Sequence, residues 1–225
     1  MKDNFVREQE EVVTLKNKDR YDEAIKKCDE ILIMIKNDYP EDNHNLWFFN
    51  LILAMCYRKK GQCKKALSYV SESKNYTNDF KEHMECNWVM GNCYYSLKLD
   101  KKAIKFFKQC SDYFTNNKMQ DERIHMDFNI AKIEKDDEKI KELLTEVHNI
   151  ISTKDDSFNN AEWFFNNAYE TLCEIYIEKN QIKQLDETIV KIKDENIVVN
   201  LRSRIQAVNN YCSNSKVTPI KLEGF

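Results

Sequence analysis

Residues 88–107, WVMGNCYYSLKLDKKAIKFF, read as two helices joined by a tight turn. Gly91 is the small residue where two helices must come close, and Tyr94 is a large wedge three positions on. Ala103 is a second small contact, and Phe107 fills the space beside it. Aligned on Ala103, four other stretches repeat this rhythm. VVTLKNKDRYDEAIKKCDEIL (12–32) places Tyr21, Ala24 and Cys28 on a second helix. LILAMCYRKKGQCKKALSYV (51–70) carries Ala54, Tyr57, Gly61, Ala66 and Val70. In MDFNIAKIEKDDEKIKELLTEV (126–147), Lys139 takes the alanine position, and in TLCEIYIEKNQIKQLDETIVKI (171–192) Leu185 takes it while Tyr176 is kept. The anchors at 24, 66, 103, 139 and 185 are 42, 37, 36 and 46 residues apart.

The whole chain suits this reading. Among 225 residues there are only 3 Gly and 2 Pro, which leaves little turn chemistry for hairpins. Charged residues make up 32% and hydrophobic ones 42%, a mix that fits amphipathic helices throughout. Pro40 ends the second helix of the first pair, because proline cannot continue the hydrogen-bond ladder. Asp155, Asp156 and Ser157 offer capping groups ahead of the helix that contains Trp163. Residues 196–213 bring Val198, Leu201, Ile205 and Val208 to helical spacing, as a terminal capping helix requires. The expectation is therefore an all-α chain: a repeat domain over 1–213 and a non-helical tail over 214–225.

Several functions are disfavoured. The net charge of −3 gives no general attraction to nucleic acid or to an anionic membrane, and no apolar run reaches membrane-spanning length. The amino terminus has no apolar core of the kind a secretory signal needs, so a cytoplasmic location is expected. Eight cysteines show no Cys-x-x-Cys and no zinc-finger spacing; they read as reduced core thiols, with no metal site. Isolated Gly61, Gly91 and Gly224 cannot build a phosphate loop, and the four histidines are scattered. The chain reads as a binding protein with no cofactor, not as an enzyme.

The small–tyrosine–alanine–aromatic offsets resemble those of tetratricopeptide (TPR) repeats, which are helix pairs of about 34 residues. That resemblance implies a right-handed superhelix of about five antiparallel helix pairs with a C-terminal capping helix. It also implies a concave groove lined by four positions of each first helix. In the second repeat those are Phe48, Leu51, Met55 and Arg58; in the third, Glu85, Trp88, Asn92 and Tyr95. The fourth supplies Asp121, Ile124, Phe128 and Ala131, and the fifth Asn167, Glu170, Glu174 and Ile177. Such a groove has apolar and aromatic walls with an acidic rim. It suits an extended apolar peptide or an amphipathic helix of some basic character. The carboxylate clamp of chaperone-binding repeats is not matched, since the fifth positions Gln9, Leu51, Trp88, Ile124 and Glu170 include no cation.

The long repeats also resemble those of bacterial peptide-sensing regulators of the Rap, PlcR and arbitrium-receptor type, without their DNA-binding domain. Three roles follow: a protein-binding scaffold, an intracellular peptide sensor whose superhelix changes pitch, or a structural subunit of a complex. The apolar tail 215–225 has three readings open to it: docking on the outer side of the capping helix, docking in a concave groove of its own or of a second molecule, or a free end.

Overall fold

The structure, a computed structural model, describes residues 5–153, 158 and 160–215. The expected tail, from 216 onward, and the capping groups at 155–157 lie outside the described residues, as does Cys212's side chain. Within them the chain is entirely helical. Five pairs follow one another: α1 (Val6–Asn17) with α2 (Tyr21–Asp38), α3 (Asn43–Lys59) with α4 (Cys63–Asn75), α5 (Phe80–Ser96) with α6 (Asp100–Asn116), α7 (Gln120–Glu134) with α8 (Asp137–Thr153), and α9 (Ala161–Glu178) with α10 (Ile182–Ile189). A terminal helix, α11 (Glu195–Ser215), follows and buries Leu201 and Ile205 in the core it shares with α9. It runs two residues past the expected start of the tail. α2 stops just before Pro40, as the missing donor of that residue dictates.

The single repeat domain expected over 1–213 divides into two compact units, residues 1–118 and 119–225. Each has its own apolar core. In unit 1 the core gathers residues of α1 to α5, among them Val12, Ala24, Phe49, Leu53, Ala66 and Val89. In unit 2 it gathers residues of α7 to α11, with Ile140, Leu143, Phe164, Cys173 and Leu185 at its centre. All seven described cysteines are free and buried. Burial pushes the thiol pKa up, to about 11 at Cys56 and about 12 at Cys93, Cys110 and Cys173, so these groups stay as neutral, compact hydrophobes.

One turn joins the helices of every pair. Its key residue has a left-handed backbone: Asp19 (φ 58°), Gly61 (75°), Lys98 (59°), Lys135 (55°) and Asn180 (55°). The amide of the following residue then donates to the carbonyl five positions back: Arg20 to Leu15 (3.0 Å), Gln62 to Tyr57 (2.9 Å), Leu99 to Tyr94 (2.9 Å), Asp136 to Ala131 (2.9 Å) and Gln181 to Tyr176 (2.9 Å). This Schellman closure satisfies a carbonyl that the helix end would otherwise leave without a partner. It also fixes the register of each second helix, whose fourth residue is fully buried: Ala24, Ala66, Ala103, Ile140 and Leu185.

The fourth repeat is therefore anchored by Ile140, not by Lys139. Lys139 lies one residue off the buried stripe, partly exposed, and pairs with Glu142 at 3.0 Å. Gly91 meets its expectation closely. A Cβ added there would stand 2.8 Å from Phe107 Cε1, so the α5–α6 contact has no room for a side chain. The tyrosines before the turns also recur in role. Tyr57 stacks on Tyr69 (5.3 Å, 4°) beneath Lys65, and Tyr94 stacks on Phe106 (5.5 Å, 13°) beside Lys102.

The turn yields a stability prediction. A side chain in the left-handed region costs about 1–2 kcal/mol, of which glycine's extra unfolded-state freedom returns part. Lys98→Gly should therefore stabilise unit 1 by about 1 kcal/mol, read as a higher denaturant midpoint. A lower midpoint would contradict the turn geometry.

Candidate functional site

The expected groove residues fall into two sets. Phe48, Met55 and Arg58 on α3 are half-buried, as are Glu85, Trp88, Asn92 and Tyr95 on α5. α5 packs on α3, and α3 on α1, so these first helices make one face within unit 1. Phe48, Met55 and Trp88 rest on the core beneath while keeping part of their surface open. Asn92 turns its amide back onto the helix, donating to the Trp88 carbonyl at 2.8 Å; this leaves it one N–H fewer for a ligand than the sequence suggested. The Glu85 carboxyl is raised above the usual range by burial, against the pull of Lys81 and with Glu82 and Asp79 adding to the rise.

Leu51, Ile124 and Phe128 are corrections. Leu51 holds in α3 the place that Trp88 holds in α5, yet it is closed into the core of unit 1, because α3 is surrounded by α1, α2, α4 and α5. Ile124 and Phe128 are 0% and 2% exposed in the core of unit 2. The register shift accounts for both. Counted from Ile140, the positions equivalent to Glu85, Trp88, Asn92 and Tyr95 are Glu122, His125, Asn129 and Lys132, none of which is buried. Asn129 confirms the frame by donating to the His125 carbonyl at 2.9 Å, as Asn92 does to Trp88. A step of one residue turns a side chain by about 100° around the helix axis, enough to exchange wall for core.

At one end of the unit 1 face lies a cleft of about 260 Å³, lined by Lys16, Asn17, Asp19, Tyr21, Met55, Arg58, Lys59 and Trp88. Three predicted groove residues, Met55, Arg58 and Trp88, thus come together. Lys16, Asp19, Tyr21 and Lys59 are not among the expected groove residues, since they meet only when the turn after α1 folds beside the end of α3. The cleft carries three cations and one carboxylate, and Asp19 already accepts the Tyr21 hydroxyl. Burial lowers the Lys16 pKa, and the like charges of Lys59 and Arg58 lower it further, with Cys56 acting the other way. Acidic character persists at Glu85, three residues before Trp88 on α5 and so about 4.5 Å from it along the axis.

Unit 2 has a cleft of its own, about 410 Å³, where His148 of α8 stacks on Phe165 of α9 (4.4 Å, 27°) near Tyr169 and Lys191. Among the described residues no group of His, Cys, Asp and Glu is placed to hold a metal ion, and no helix is long and apolar enough to cross a membrane.

Comparison with known proteins bears on the fold. No protein-family model and no curated protein sequence matches the chain. Among solved structures it is similar to the crystal structure of the Podosopora anserina putative kinesin light chain nearly identical TPR-like repeats, at 13% identity and a TM-score of 0.59. The match covers 90% of this chain and 96% of that one. A single-substitution variant of the same protein matches at 13% identity and a TM-score of 0.60, over the same shares. The fold of this chain is TPR-like. The resemblance to Rap, PlcR and arbitrium receptors finds no support among these matches.

Proposed function

We propose that this protein is a non-enzymatic protein-binding scaffold whose partner lies along the α1–α3–α5 face of unit 1. The observation that carries this reading is the half-open row of Phe48, Met55 and Trp88, which rest on the core from α3 and α5 while keeping part of their surface open. Aromatic anchors on a shallow wall supply much of the energy of protein recognition, and Trp88 is a half-open aromatic of that kind. The likeness to TPR-like repeats supports the same class of function by analogy of fold. Sensing of a peptide and permanent membership of a complex are narrower forms of this reading.

Trp88→Ala tests it. Truncating an aromatic anchor typically costs about 2 kcal/mol or more of binding energy. Affinity capture from the native host should recover a defined set of proteins with the wild type and lose them with Trp88→Ala, while the thermal melt moves little. Retention of the same set by the variant, or a collapse of its melt, would remove Trp88 from the binding face.

A further inference from the structure

We infer that the cleft beside Trp88 seats an acidic side chain of the bound protein, with an adjacent apolar side chain of the same segment laid against Met55 and Trp88. This deepens the proposed function and rests on it. Lys16, Arg58 and Lys59 line the cleft together, and among the described residues none of the three has an ion pair. Their neighbours are matched: Lys60 pairs with Asp22, and Lys27 with Glu11 at 3.1 Å. The last turns of α1 and α3 explain why cations are tolerated at these positions, since carbonyl groups there favour positive charge. They do not explain why Lys16 and Arg58 are half-buried in a cleft that Trp88 and Met55 also line. Like charges gathered in a partly dry cleft repel one another, and an incoming carboxylate relieves that repulsion while accepting from the Arg58 guanidinium. The Asp19 carboxylate does not fill this role, because it lies at the cleft edge, exposed and engaged by Tyr21. Glu85 stands three residues before Trp88 on α5, about 4.5 Å along the axis, so the favoured segment is acidic where it meets Arg58 and apolar where it lies over Trp88.

The test labels the three tryptophans of the full chain (Trp47, Trp88 and Trp163) with 5-fluorotryptophan and assigns the Trp88 fluorine signal from Trp88→Phe. The probes are an acetylated, amidated octapeptide alternating glutamate and leucine, and its lysine–leucine counterpart. The glutamate peptide is expected to shift the Trp88 signal saturably, leaving Trp47 and Trp163 in place, and to bind more weakly as salt rises from about 0.05 to about 0.5 M. Its affinity should fall about tenfold in Arg58→Glu, and similarly in Lys59→Glu, whose exposed side chain makes misfolding no explanation. An equal shift with the lysine peptide, or no shift of Trp88 with the glutamate peptide, overturns the acidic cleft. The first of these would leave the apolar wall standing; the wall itself is tested separately by capture with Trp88→Ala.

Discussion

Ile140→Ala should cost unit 2 about 2–5 kcal/mol, whereas Lys139→Ala should change its stability by less than about 0.5 kcal/mol. Ile140 is fully buried, so the deletion loses transfer energy and leaves a cavity in the core of unit 2. Lys139 loses only a partly exposed pair with Glu142. Hydrogen exchange resolves the effect by element, which matters in a chain of two units. Protection should drop in α7 to α10 for Ile140→Ala and be retained in α2 to α4. Equal losses in the two variants would return the anchor of the fourth repeat to Lys139.

The second large effect belongs to the α5–α6 contact. Phe107→Ala should destabilise unit 1 by about 3–5 kcal/mol, because its ring is 1% exposed and fills the space that Gly91 leaves. Gly91→Ala carries two opposing terms. Alanine favours the helix by about 1 kcal/mol, but its Cβ would press into the Phe107 ring, and overpacking of that kind costs about 1–3 kcal/mol. The net is a loss in the wild-type background and a gain of about 1 kcal/mol once Phe107 is alanine. Denaturant melts of the two single variants and the double variant measure this change of sign. Additive effects would mean that the two residues do not touch.

The parts of the fold that the sequence made legible are those encoded by residue size. Gly91, Ala103 and Phe107 state a close helix contact in plain residue volumes, and the structure sets Phe107 against Gly91 and buries Ala103 fully. The fourth repeat misled because its anchor is a large residue, Ile140, and because Lys135 and Lys98 adopt the left-handed turn without being Gly, Asn or Asp. Without those turns the residue pattern sets the frame one position off, which puts Ile124 and Phe128 outside the core. Two turns were open to recognition, since Asp19 and Asn180 are types that tolerate this backbone, and counting five residues on from each finds Ala24 and Leu185. The charge of the site was harder to read. Lys16 is separated in sequence from Arg58 and Lys59 by the whole of α2 and most of α3, and only the packing of α3 on α1 brings the three beside Trp88.

The most direct measurement is photo-crosslinking in the native host with p-benzoyl-phenylalanine placed at position 88, and at position 108 as control, where Lys108 is exposed on α6. The account predicts discrete protein adducts from position 88 that are missing from position 108, and that disappear when Arg58→Glu is added. The absence of adducts at position 88, or the same adducts from both positions, would contradict a partner-binding face centred on Trp88.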